Sequence, residues 1–155
     1  MSIDTRVNRT ELQGVLNKLT LLSKTMTKDV ERVINRNALK IESNAKKNLS
    51  SIYPIINRDR VDTGVLRSSI KTIKTHQLGR EVGTNLEYAP YVEFGTKSRV
   101  ETEIEGVDYS AYAIQFKKSS GGSGGMYATP YLFPAYEKQR KVIFKEIKRV
   151  VDGKR

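Results

Sequence analysis

Few residues in this chain have the types and spacing that chemistry demands. The one acid–base pairing on offer is Asp62 with His76, the single histidine, and catalysis would need both in a pocket within hydrogen-bond reach of a substrate. Its plainer reading is an exposed histidine at a strand end. Arg67 and Glu93 are a second pair, because a guanidinium can grip a carboxylate through two parallel hydrogen bonds, within one subunit or between two. Lys28, Arg32, Arg36 and Lys40 recur every fourth residue, a stripe that could contact a polyanion or an acidic partner. The bland account of that stripe is the wet face of a helix, partly balanced by Glu31 and Glu42.

Composition narrows the choice further. With no cysteine and one histidine, disulfides, thiolate chemistry and a zinc site are not expected, and no cofactor is called for. The Gly/Ser run near residue 121 lacks the GK[ST] ending of a phosphate-cradling loop. No catalytic role is expected. The formal net charge of +11 on 155 residues favours polyanions at low salt, yet Glu81, Glu87, Glu93, Glu101, Glu103, Glu105 and Asp108 crowd the middle. An acidic middle and a basic stripe could attract each other between subunits. No apolar run approaches a membrane span, and the polar start lacks the core of a secretory signal, so a soluble chain made in the cytoplasm is expected.

The elements that must position these residues follow from periodicity. Leu12, Val15, Leu16, Leu19 and Leu22 share one side of a 3.6-residue repeat, with Thr10 and Gln13 as a capping box, so a first short helix is expected. Val30, Val33, Ile34, Ala38, Ile41, Ala45 and Leu49 mark a longer second helix, with Thr27 as its N-cap and Asp29 at the positive end of its dipole. Tyr53-Pro54 and the polar stretch 57–60 break the pattern. Asp62 caps a short helical turn, residues 69–75 read as a strand, and residues 80–84 pair with it across Gly79 as a hairpin.

Tyr88, Tyr91, Val92 and Phe94 fit a short helix stopped by Gly95 in a left-handed conformation. Residues 97–128 read as a long mobile excursion, with 107–116 forming one or both arms of an extended hairpin and Gly121 to Gly125 its flexible tip or tail. A last helix over 130–151 follows Pro130 and Pro134, with Tyr136, Ile143, Phe144, Ile147, Val150 and Val151 on one face. Full burial of Phe144 would make its loss cost about 3–5 kcal/mol. The expected fold is one α+β domain over 1–155: a small antiparallel sheet flanked by a long helix in the N-terminal half and a C-terminal helix, with a long flexible loop or hairpin insertion.

Three motifs carry a resemblance. DTG-x-LR-x-SI within 61–70, VGT and YAPYVEFGT within 82–96, and TPYLFPA within 128–139 are similar, in order and spacing, to the tail-component family of long-tailed bacteriophages. This is the gene-ten-product-like group of head-to-tail joining, tail-completion or tail-terminator proteins. The likeness reads from residue 27 to 151, with the first helix and the 97–128 segment as departures.

The resemblance implies a virion protein without cofactors, forming a ring, by resemblance a hexamer, at the neck where tail top meets head. Its partners would be copies of itself, the tail tube protein, head–tail connector proteins, and DNA passing through the lumen without sequence specificity; no membrane is involved. Asp62, Thr63, Gly64, Leu66, Arg67, Tyr88, Ala89, Tyr91, Val92, Glu93, Phe94 and Gly95 are then fold and assembly determinants. The rival reading is a basic DNA-binding module using the Lys28, Arg32, Arg36 and Lys40 stripe.

Overall fold

The computed structural model describes residues 9–52, 63–104, 106–117 and 125–153. Its first element is one helix, α1 (Arg9–Ile52), where the sequence pattern predicts two. No glycine or proline falls between Val15 and Ile52 to break it. Thr27, expected to cap a second helix, turns inward on the first, as do Thr20 and Thr25: each donates its hydroxyl to the carbonyl four residues earlier, at 2.9 Å. Such back-bonding lets threonine sit mid-helix instead of capping a new one. Asp29 pairs with Arg32 at 2.8 Å, and Gln13 reaches forward to Asn17. The 53–62 break, including Tyr53, Pro54 and Asp62, lies outside the described residues.

After α2 (Thr63–Ser69), strands β1 (Lys71–His76) and β2 (Gly79–Gly83) form the expected antiparallel hairpin, with Thr72 opposite Val82 and Lys74 opposite Arg80. α1 holds it at both ends. Glu42 accepts from the Thr72 backbone N–H and hydroxyl, each at 2.8 Å. Glu31 accepts from Lys74 at 2.7 Å and from Arg80 at 3.2 Å, while Arg80 Nε donates to Asn35 at 3.0 Å. Glu31 and Glu42 therefore serve the hairpin, with Glu42 also pairing Lys46 one turn along.

α3 (Ala89–Phe94) and α5 (Leu132–Val151) complete the main layer. α5 runs antiparallel to α1, from Tyr131 beside Asn48 to Glu146 beside Arg36 and Asn37. Ile41, Ala45 and Leu49 of α1, Leu66 and Ile70 around α2, Val92 of α3, and Tyr131 with Ala135 form the principal core. Leu49, Leu66 and Ile70 are fully buried, each worth about 1.5–3 kcal/mol relative to exposure.

The described residues of the 97–128 segment form more regular structure than their composition suggests. A 3-10 turn (Lys97–Arg99), a tight hairpin of β3 (Glu103–Ile104) and β4 (Val107–Asp108), and a helix α4 (Ser110–Lys117) replace the expected extended arms. The Asp108 carboxylate receives the Ser110 backbone N–H at 2.8 Å, which starts α4 where a strand was expected to continue. Phe94, Ile104, Tyr109 and Ala113 form a second core with Phe116 and Phe133. The rings of Tyr109 and Phe133 stand 4.1 Å apart between centroids, and those of Phe94 and Phe133 5.4 Å. Residues 118–124, which include most of the Gly/Ser run, lie outside the described residues.

α5 also departs from expectation. Phe144 is 65% exposed, and Tyr136 and Val151 are exposed with it. Ile143, Ile147 and Val150 of the expected face are half-buried, and the fully buried positions beside them are Ala135 and Gln139, with Leu132 partly covered. A polar residue at the centre of the packed face concealed its true phase from a count of apolar side chains.

Candidate assembly surfaces and the motif clasp

The motif around α3 is where the chain closes on itself. Ala89, Val92, Glu93 and Phe94 are buried, Tyr91 is half-buried with its ring edge-on to Phe116 at 5.1 Å, and Tyr88 is the N-cap residue at the surface. Glu93 is 3% exposed. Its Oε2 accepts the backbone N–H of Tyr131 at 2.9 Å and of Leu132 at 3.0 Å, and its Oε1 accepts that of Phe133 at 2.8 Å. Those are the donors a helix start leaves without intrahelical partners. The next residue, Pro134, has no N–H to satisfy, so one carboxylate and one proline complete the first turn of α5. A negative charge there also opposes the positive end of the helix dipole.

Burial raises the Glu93 carboxyl above the usual glutamate range, and the three N–H groups counter part of that rise. Around the carboxylate the two segments are laced together. The Thr129 backbone N–H and hydroxyl both donate to the Val92 carbonyl at 2.8 and 3.0 Å, the Thr96 N–H donates to the Met126 carbonyl, and the Met126 N–H returns to the Thr96 hydroxyl. Gly95 makes this possible. Its φ of 77° and ψ of −171° lie beyond the left-handed helical region expected for it, in territory open essentially to glycine alone. A Cβ there would stand 2.6 Å from the Arg99 carbonyl oxygen and 2.7 Å from the Ala128 nitrogen.

The other motif divides in two. Leu66 is fully buried, whereas Gly64 and Arg67 are exposed, and Arg67 donates to the Ser50 hydroxyl of α1 at 3.2 Å. Thr63 opens α2, and Asp62 lies outside the described residues. Arg67 and Glu93 are therefore not partners, since the carboxylate is consumed inside the fold.

The basic stripe is exposed at Lys28, Arg32, Arg36 and Lys40. Arg36 reaches Glu146 of α5 at 2.9 Å, and Arg32 reaches Asp29; such surface pairs contribute little to stability. The acidic side chains of Glu101, Glu103 and Asp108 are exposed on and beside the β3–β4 hairpin, which packs through the second core against α3 and the first turn of α5. His76 is exposed at the end of β1. No helix among the described residues is long and apolar enough to cross a membrane.

A polar cluster escaped sequence reasoning. Asn37 is fully buried between α1 and α5; it donates to the Val33 carbonyl at 2.8 Å and to Glu146 at 2.6 Å, and accepts from Gln139. The hydrogen bond from Asn37, then the charge and hydrogen bond of Arg36, hold the Glu146 carboxyl below the usual glutamate range. The available signal was an asparagine on the same face as Val33 and Ile41.

An α+β chain whose motif residues Leu66, Ala89, Val92, Glu93, Phe94 and Gly95 are spent on internal closure, with charged patches on separate elements, has the make-up of a structural building block. The family model described as "Bacteriophage HK97-gp10, putative tail-component" matches residues 13–95, more than half of the 155-residue chain. The chain belongs to this family of phage tail components, which places it in the virion among other phage structural proteins. The match takes in the N-terminal part of α1, a departure by the motifs alone, and ends at Gly95, before TPYLFPA and the closing helix. No curated protein and no solved structure gives a significant match.

Proposed function

We propose that the protein assembles as a homo-oligomeric ring at the head–tail interface of a long-tailed phage. It completes the tail or joins it to the head, and DNA passes through its lumen without sequence specificity. Its partners are further copies of itself, as a hexamer, the tail tube protein and the head–tail connector. The role is structural, with no catalytic step. Family membership as a tail component supports this reading, and one observation carries it beyond that. The acidic β3–β4 hairpin and the basic stripe of α1 are exposed on different elements of one chain, and a closed ring needs two unlike surfaces that match by rotation.

Negative-stain imaging of the purified protein, alone and with tail tubes, tests it. Rings, or density capping one tube end, are the expected outcome; a monomer that leaves tube ends bare would refute it.

The DNA-binding alternative predicts an affinity for duplex DNA that falls steeply with salt. Arg32 and Arg36 already have carboxylate partners within the chain, which weakens that reading.

A further inference from the structure

The N-terminal part of α1 stands beyond the rest of the fold. α5 passes Arg36 and Asn37 at Glu146 and ends at Val151, so residues 13–26 of α1 extend past its reach, a length of about 20 Å at helical rise. Every residue from Gln13 to Met26 is exposed. Yet this arm is not a polar spacer. Val15, Leu19, Leu22 and Met26 are 53, 56, 59 and 37% exposed, and their 4-3-4 spacing lays a stripe along the helix, with Leu16 beside it and Leu21 off it. That is the repeat of a helix meant to lie against another helix. A stripe of large apolar side chains with no cover among the described residues marks an interaction surface.

We infer that residues 13–26 form a helix-pairing arm whose partner is the same arm of a second copy of this chain. Three features favour that occupant. The 3.5-residue period is self-complementary, since two identical stripes interlock with their knobs in each other's holes. Charge permits it: with Val15 and Leu22 at one seam position and Leu19 and Met26 at the other, Lys24 falls on the far side and Lys28 beyond the stripe. Lys18 flanks the seam, and across a parallel pair it faces the position of Ser23, not another cation. The arm is also already helical as a continuation of the packed half of α1, so pairing does not have to bear the cost of nucleating a short helix.

This goes beyond the ring reading, because a contact between like arms joins copies in pairs and is separate from the unlike surfaces that close a ring. Rings that form with the arm unpaired would refute the inference and leave that reading intact. The chain contains no cysteine, so introduced thiols report cleanly. In the full chain, Leu19→Cys alone (parallel arms) or mixed with Leu22→Cys (antiparallel arms) is expected to give a disulfide-linked dimer under mild oxidation. Lys24→Cys, pointing away, is expected to give at least tenfold less. Leu19→Glu/Leu22→Glu, at positions more than half exposed, should lower the sedimentation mass relative to wild type and leave the melting of the body unchanged.

Equal cross-linking at positions 19 and 24, or an unchanged mass for the double variant, would overturn the inference. So would cross-linking of Leu19→Cys only to Tyr136→Cys, which would seat the arm in the apolar groove that Ile34, Val82, Tyr136 and Ile143 line on a neighbour. A monomeric wild type whose arm gains protease protection only in the virion would overturn it too, by assigning the surface to a different tail protein.

Discussion

The Glu93 carboxylate lies 2.9 Å from the backbone nitrogen of Tyr131, 38 residues further along the chain, and so fixes where the last helix begins. Its oxygens take the N–H groups of three successive residues, and the aromatic core under Phe94 and Phe133 is built around that junction. The residue that looked most like a surface assembly contact is thus the internal anchor between the family-matched part of the chain and the closing helix.

Replacement of Glu93 therefore acts on stability first. In Glu93→Gln one acceptor oxygen becomes an amide donor facing a backbone N–H, with an expected loss of about 1–3 kcal/mol in urea unfolding. Glu93→Arg would bury a cation against those same donors and should fail to fold. A folded Glu93→Arg protein with wild-type melting would refute the clasp.

The pH profile should show two opposing signs. Glu42 is held below the ordinary glutamate value of 4.5 chiefly by Lys46 and also by Thr72, and Glu146 by Asn37 and then Arg36. A carboxyl with a depressed folded pKa adds stability above the unfolded value and loses it as pH falls through the folded one. Glu93 is raised by burial, so its contribution runs the other way and declines as pH climbs from 4.5 towards its folded pKa. Urea midpoints should fall below pH 4.5, and Glu146→Gln should flatten that fall. Glu93→Gln should remove the decline above 4.5. Identical profiles for wild type and both variants would refute these assignments.

Gly95→Ala should be among the most damaging single-methyl additions in the chain. Backbone strain at that φ and ψ costs on the order of 1–3 kcal/mol before the collisions with Arg99 and Ala128 are counted. At about 2–4 °C per kcal/mol for a chain of this size, a melting point lower by at least roughly 4 °C is expected. Calorimetry that finds no change would place the close approach of 95 to 126–128 in error.

Asn37→Ala removes the group that joins Gln139 and Glu146, taking the acceptor from Gln139 and leaving Glu146 with Arg36. A loss of about 1–3 kcal/mol is expected. Because the Glu146 shift depends first on Asn37, the variant should also weaken the acid limb of the stability profile, and that second effect separates the hydrogen bond from simple loss of volume.

Phe144→Ala should change the stability of the isolated protein by no more than about 0.5 kcal/mol, since its ring is largely in water. A loss near the 3–5 kcal/mol of a buried ring would mean that α5 is rotated from the phase described.

Local pattern carried much of the fold. The apolar positions from Val33 to Leu49 drew the packed half of α1, the alternation near residue 72 drew β1, and the aromatic spacing before Gly95 drew α3. These signals are legible because each depends on neighbours within one or two turns of the same element. The joins were not legible: whether α1 broke near Thr27 depended on hydroxyls choosing their own helix, and α4 depended on where the Asp108 side chain turned.

By itself, then, the sequence determined the helices, the first hairpin and the glycine turn, and through its motifs the family. Only the tertiary structure decided that Glu93 belongs to α5 rather than Arg67, that Asn37 is interior, and that the α1 arm lies outside the packed body. The reason is physical. A periodic face declares that something will cover it, but which surface does so depends on residues tens of positions away arriving at the right distance, and spacing along the chain holds no record of that arrival.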